Sequence, residues 1–171
     1  SQYNVSDIKF ETMIKPQFAD RIYFSNCLPV DPTSTRPTYF GDTDGSVGAV
    51  LFALFATGHL GIMAEGENFL SQLLNIEDEV LNVLLRENFN EQLNTNVNTI
   101  ISILNRRDII LESLQPYLVI NKDAVTPCTF LGDQTGDRFS NICGDQFIID
   151  LLKRIMSINE NVHVLAGNHE T

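Results

Sequence analysis

An α/β fold interrupted by a helical insertion is what this sequence predicts, on three observations. Three short apolar segments each run into a glycine-led polar turn. These are Thr38-Tyr39-Phe40 before Gly41-Asp42-Thr43-Asp44-Gly45, Cys128-Thr129-Phe130-Leu131 before Gly132-Asp133-Gln134-Thr135-Gly136-Asp137-Arg138, and Val162-His163-Val164-Leu165-Ala166 before Gly167-Asn168-His169-Glu170. Helical patterns follow the first two turns, which is the strand–turn–helix order of α/β units. Between them, residues 60–124 change character, with apolar residues at helical spacing on an Asn-rich background.

Taken in order, residues 1–20 are mixed and weakly patterned, and Arg21 to Ser25 reads as a strand. Asp31-Pro32-Thr33-Ser34-Thr35-Arg36-Pro37 is a turn-rich loop. Thr38 to Phe40 is a strand and Gly41 to Gly45 a tight turn. Val47 to Thr57 lacks any charge and predicts a core helix stopped by Gly58. Phe69, Leu70, Leu73, Leu74, Ile76, Val80, Leu81, Leu84 and Leu85 mark one amphipathic helix, and Phe89, Leu93, Val97, Ile100, Ile101 and Leu104 a second. Ile109 to Leu114 predicts a short third helix, ended by Pro116. Asparagine is a weak helix former, so tertiary packing must hold this region. Val125 to Leu131 is then a strand, Gln146 to Met156 an amphipathic helix, and Val162 to Ala166 a strand. Two parallel strands joined by a helix predict a right-handed crossover.

With 171 residues, of which 43% are hydrophobic and 19% charged, the chain can bury one sizeable core. Its net charge of −11 argues against a nucleic-acid or anionic-membrane partner. No stretch reaches the roughly 18 apolar residues of a membrane span, and no secretory signal is visible. Cys27, Cys128 and Cys143 are scattered and odd in number, which suits a reducing, cytoplasmic compartment and gives no thiolate zinc site. Cys128 reads as a small packed strand residue.

The three turns resemble the motifs of the calcineurin-like metallophosphoesterases, in their phosphoprotein phosphatase branch: Gly-Asp-x-His-Gly, Gly-Asp-x-x-Asp-Arg-Gly and Gly-Asn-His-Glu, each after a strand. Gly41 to Ser46 is similar to the first, Gly132 to Arg138 to the second, and Gly167-Asn168-His169-Glu170 matches the third in full. The resemblance covers roughly residues 37–60 and 125–171. It implies a β-sheet sandwich flanked by helices, of which this chain would hold the N-terminal part, with 1–59 and 125–171 as the core and 60–124 as a helical insertion. It further implies in-line attack of an activated water on a phosphomonoester, with two divalent metals about 4 Å apart lowering the pKa of that water. Manganese is the expected ion, with iron, zinc or magnesium as alternatives.

By the same resemblance, Asp133 would bridge the two metals, Asp42 and Asp44 would hold the first and Asn168 the second. His169 would protonate the leaving oxygen and Asp137 would orient His169. Arg138, whose planar fork suits phosphate, would grip the substrate together with Asn168. Two positions depart from the pattern. Asp44 replaces a histidine ligand; it either ligates, favouring manganese or magnesium over zinc, or marks a weakened first site. Gly136 adds one residue, so either the turn bulges to restore Asp137 and Arg138, or Gly136 takes the usual aspartate position. The family also draws later histidine ligands from strands beyond Gly-Asn-His-Glu, so the expectation is that Thr171 is not the natural end.

Asp42 and Asp44 fit only half of a calcium loop. His59 reads as a helix-end residue, His163 as a packed or edge strand residue, and Asp145 as a helix cap. The expected function is a protein phosphatase with a phosphoprotein substrate. The alternatives are a metal-poor relative that binds a protein partner through 60–124, and a dinucleoside polyphosphate hydrolase. The size of the insertion is similar to that in bacterial effector phosphatases of the Wip type, which implies delivery into a host cell.

Overall fold

Ten residues from Val47 to Ala56, without a charge or a hydrogen-bonding side chain among them, form helix α2. All of them but Ala49 are buried. A helix apolar on every face can only sit inside a protein, and the other elements pack around it. The computed structural model describes residues 10–18, 31–41, 46–86, 93–131 and 145–165. Arg21 to Ser25, Cys27 and Cys143 lie outside these.

Strand β1 (Thr38–Phe40) precedes α2, and β2 (Leu60–Ile62) follows it. Helices α3 (Glu67–Arg86) and α4 (Leu93–Leu114) come next, then β3 (Leu118–Ile120), β4 (Cys128–Phe130), helix α5 (Asp145–Ile158) and β5 (Val162–Val164). Ahead of them, a π-helical turn at Phe10–Ile14 leads into α1 (Lys15–Phe18). This segment packs Phe10 and Phe18 on Phe52 of α2, with ring centroids 5.8 and 5.1 Å away. The fold is therefore mixed α/β, as the strand–turn–helix pattern predicts.

Two sheets form. β1, β4 and β5 pair in parallel in the order β1-β4-β5, and β2 pairs with β3 antiparallel. One face of the parallel sheet sends Phe40, Cys128, Phe130, Val162 and Val164 towards the core. The other carries Tyr39, Thr129 and His163, paired across the strands. On that outer face Tyr39, Leu131 and Leu165 are 60, 50 and 51% exposed, while Thr129 is buried.

The expectation of three helices in the insertion is corrected to two. Ile109 to Leu114 continues α4 without a break, because Ile103, Arg107, Leu111 and Leu114 follow one another at helical spacing on its buried side. Strands β2 and β3 are an addition, since three-residue strands give too few alternations to read from sequence. Leu60, Ile62, Leu70, Leu73, Leu74, Leu111 and Leu114 share the core of α2 and α5.

The N-terminal edge of the parallel sheet is locked by amide side chains. Asn159 Nδ2 donates to the carbonyls of Lys122 (3.1 Å) and Ala124 (3.0 Å), and its Oδ1 accepts from Asn161 N (2.8 Å). Asn161 Nδ2 donates to Ala124 O (3.1 Å), and Asn121 Nδ2 to Gly58 O (3.0 Å). Gly58 turns there with φ +79°, which a side chain would resist. Thr126 Oγ1 donates to Asp31 O and Ser34 O, tying in the Asp31–Pro37 loop. Asn159→Ala is expected to lower stability by about 2–3 kcal/mol in urea unfolding, because it leaves buried carbonyls without their donor. A loss under about 1 kcal/mol would refute the lock.

Candidate functional site at the C-terminal edge of the parallel sheet

The register of the parallel sheet decides where the three turns begin. Phe40, Phe130 and Val164 stand side by side as the last residues of β1, β4 and β5. The ladder continues one step, with Leu131 N donating to Phe40 O and Leu165 N to Phe130 O, both at 2.8 Å. Neighbouring strands are about 4.8 Å apart, so the three strand ends fall within about 10 Å of one another. Gly41, Leu131 and Leu165 therefore leave the sheet from one edge and in one direction. Open parallel sheets place their sites at this edge.

The residues expected to do chemistry lie just past these exits. Asp42 and Asp44 follow Gly41, Asp133, Asp137 and Arg138 follow Leu131, and Asn168 and His169 follow Leu165. All seven lie outside the described residues, as does Gly136. Among the described residues, no group of three or more His, Cys, Asp or Glu side chains could hold a metal ion.

Where the chain re-enters the described structure after the first turn, a carboxylate awaits it. Ser46 caps α2, its Oγ accepting from Ala49 N at 3.1 Å. Glu77, from the middle of α3, accepts Gly48 N on both carboxylate oxygens at 3.2 and 3.0 Å, and Ser46 Oγ donates to it at 3.3 Å. These bonds satisfy amides that the first helical turn leaves without partners. Desolvation raises the Glu77 carboxyl above the ordinary carboxylate range. The Gly48 amide, the Arg107 charge on α4 and the Ser46 hydroxyl pull it back. The N-terminus of α2 thus already holds an internal carboxyl group. Sequence reasoning missed Glu77; the available signal was a carboxylate at position 77 in line with the buried Leu70, Leu73 and Leu74.

Two other residues are resolved as structural. His59 is fully buried, and its Nε2–H donates to Thr126 O at 2.6 Å. Its Nδ1 has no hydrogen-bond partner among the described residues. It belongs to the locked edge: Thr126 and Leu131 are five extended residues apart, about 16 Å. Burial depresses its pKa, more than the bond to Thr126 raises it. Cys128 is buried under α2; burial pushes its thiol up to about 12, more than its bond with Thr57 lowers it. His163 lies exposed on the outer face of β5. Asp145 is the first residue of α5. No helix among the described residues is long and apolar enough to cross a membrane.

Comparison with known proteins adds a family. Residues 33–171 match the family described as "Domain of unknown function (DUF4049)". The chain is 41% identical over 170 residues to the uncharacterized protein YhiL of Escherichia coli strain K12. That alignment covers 95% of this chain but 30% of YhiL, so the chain spans under a third of that relative's length. No solved structure matches it.

Two predictions follow from the buried histidine and thiol. A depressed folded pKa means the unfolded chain takes up the proton first as pH falls. Relative to a His59→Gln variant, the wild type should hold its stability above the unfolded value near 6.5 and lose it progressively below. Chemical denaturation at pH 7.5 and 5.5 measures this, and identical slopes for the two proteins would contradict it. Cys128 should resist alkylation by iodoacetamide at pH 8 in the native state and react once the chain is unfolded, because the thiolate is the reactive form.

Proposed function

The chain belongs to the DUF4049 family, and within it we propose a metal-dependent phosphomonoesterase acting on phosphorylated protein side chains. What supports the reading is the register of β1, β4 and β5. Three glycine-led motifs spread over about 125 positions of sequence follow strand ends that stand at one edge of one sheet, within about 10 Å of one another. Each carries the residue types that phosphoryl transfer to water requires.

The donors proposed for the metals are the carboxylates of Asp42, Asp44 and Asp133 and the carboxamide oxygen of Asn168. An all-oxygen set of this kind suits a hard divalent cation such as manganese or magnesium. When bound, such ions supply charge neutralisation and an acidified water. The rest falls to the chain itself. Arg138 holds two phosphate oxygens through parallel N–H bonds. His169 delivers a proton to the departing oxygen of the serine, threonine or tyrosine side chain, and Asp137 fixes the ring that delivers it. Arg138 and Asn168 keep the phosphorus in line with the incoming water, which is where positioning lowers a barrier most.

The exposed outer face of the parallel sheet fits the finer architecture. Tyr39, Leu131 and Leu165 are exposed apolar side chains of the kind that a second sheet would cover in a sandwich. A second reading is favoured by α4, where Ile101 and Ile109 are 48 and 64% exposed. In that reading the protein is a metal-poor relative that binds a partner through residues 60–124. Calorimetric titration with manganese separates the two.

The full-length protein, incubated with manganese and an aryl phosphate, should release phosphate, and chelation should stop it. Asp133→Asn should lower turnover by more than about 100-fold, beyond the effect of disturbing a residue that merely supports a ligand. Turnover that is absent, or that survives Asp133→Asn, would refute the proposal.

A further inference from the structure

The seam between α3 and α4 opens into a groove of about 600 Å³, within the range that small-molecule sites occupy. Arg107 acts on Glu77 and Arg106 pairs with Glu79, so the two helices run antiparallel. Ile103, 5% exposed, lies at the base of the groove. Asn82 of α3 and Asn98, Thr99 and Ser102 of α4 line its walls. None of these four side chains has a hydrogen-bond partner among the described residues. Arg106 is the last lining residue of α4 and Glu79 the first of α3, which puts both at the same end. There Arg106 Nη2 donates to Glu79 Oε2 at 2.7 Å, from one wall to the other. The bridge closes that end, and the eight residues from Asn98 to Arg106 give the groove a length of about 12 Å.

We propose that this groove binds a neutral saccharide of one or two rings. The two charges in the lining cancel each other at contact distance. A free anion entering the groove meets Glu79, and a free cation meets Arg106. What remains is two carboxamides and two hydroxyls, each able to donate and to accept. A ligand matched to such walls needs groups around its rim that do both, and sugar hydroxyls do. Ile103 offers the C–H face of a ring an apolar floor. An extended peptide could pair with the same amides, but the Glu79–Arg106 bridge bars its passage along the seam. Among the described lining residues only Ile103 is apolar, so the side chains of a peptide find little to hold them. A polyanion is disfavoured by the net charge of −11. The site lies wholly on the insertion, and it does not rest on the function proposed above.

The test uses the full-length protein with maltose, cellobiose, lactose and diacetylchitobiose as probes. Saturation-transfer NMR and calorimetry should show binding of at least one of them. Raising salt to about 0.5 M should not weaken it, because no net charge is exchanged. Asn98→Ala and Ser102→Ala should each weaken that binding by about five- to tenfold, the effect of one hydrogen bond. Ser102→Trp, which fills the groove, should abolish it. Asn105→Ala removes an exposed carboxamide of α4 that does not line the groove, and it should leave the affinity unchanged. Thermal melts establish which variants fold. Should Ser102→Trp not fold, the two alanine variants carry the comparison, since Asn98 and Ser102 are exposed. Failure of all four sugars to bind overturns the proposal, and so does binding that the folded groove variants leave unchanged. Capture of peptides from a random-sequence array through Asn98 and Ser102, with no sugar bound, overturns it in favour of peptide docking. Aryl phosphate turnover should be the same in all of these variants, and its absence from the wild type counts against the phosphatase reading alone.

Discussion

Parallel pairing in register, across three strands of three residues each, is the constraint on which the rest of this structure depends. A slip of one residue at β4 would turn Phe130 out of the core and Thr129 into it. It would also move the start of the second turn by about 3.3 Å relative to the other two. Burial of Phe130, Cys128 and Val162 against α2 and α5 therefore sets the alignment of the loop exits as well as stability. One packing requirement does both jobs, because side-chain parity and strand-end position are the same variable.

The two edges of that sheet are built from different materials. Along one, asparagine amides and a histidine ring join three separate segments through hydrogen bonds, and His59 Nδ1 has no partner among the described residues. From the other, the chain leaves the sheet at Gly41, Leu131 and Leu165 towards the three glycine-led motifs read from the sequence. In the function proposed above, stability and chemistry would fall at opposite ends of the same strands, a division familiar from barrels and open sheets alike. Glu77 stands at the boundary, contributing helix capping at the end where the loops emerge.

Much of the fold was legible. Thr38–Phe40, Val47–Ala56, Asp145–Ile158 and Val162–Val164 lie where apolar runs, glycines and helical spacing put them. Local chemistry decides those boundaries: Gly58 stops α2, and a glycine-led polar stretch of sequence follows each strand. What escaped depends on distant partners. Leu60–Ile62 and Leu118–Ile120 are strands only because each finds the other. Arg107 and Glu77 look like ordinary helix-surface charges until the crossing of α3 and α4 turns them inward. The single long α4 was hidden by its asparagines, which lower intrinsic helicity but yield to packing. The candidate site was read from motif and order alone, and the sheet register adds the shared edge from which its loops depart.

The small antiparallel ladder between β2 and β3 has a consequence for chain entropy. Phe40 must find Phe130 across about 90 positions, and closing a span that long is entropically unfavourable. Once Leu60 is paired with Ile120, the detour through α3 and α4 is short-circuited and the effective span falls to about 30 positions, which lowers the closure term by about 1 kcal/mol. That makes it comparable to the span joining Phe130 to Val164. A helical arm stapled at its base in this way adds mass and surface while leaving the search of the central strands almost as short as if the arm were absent.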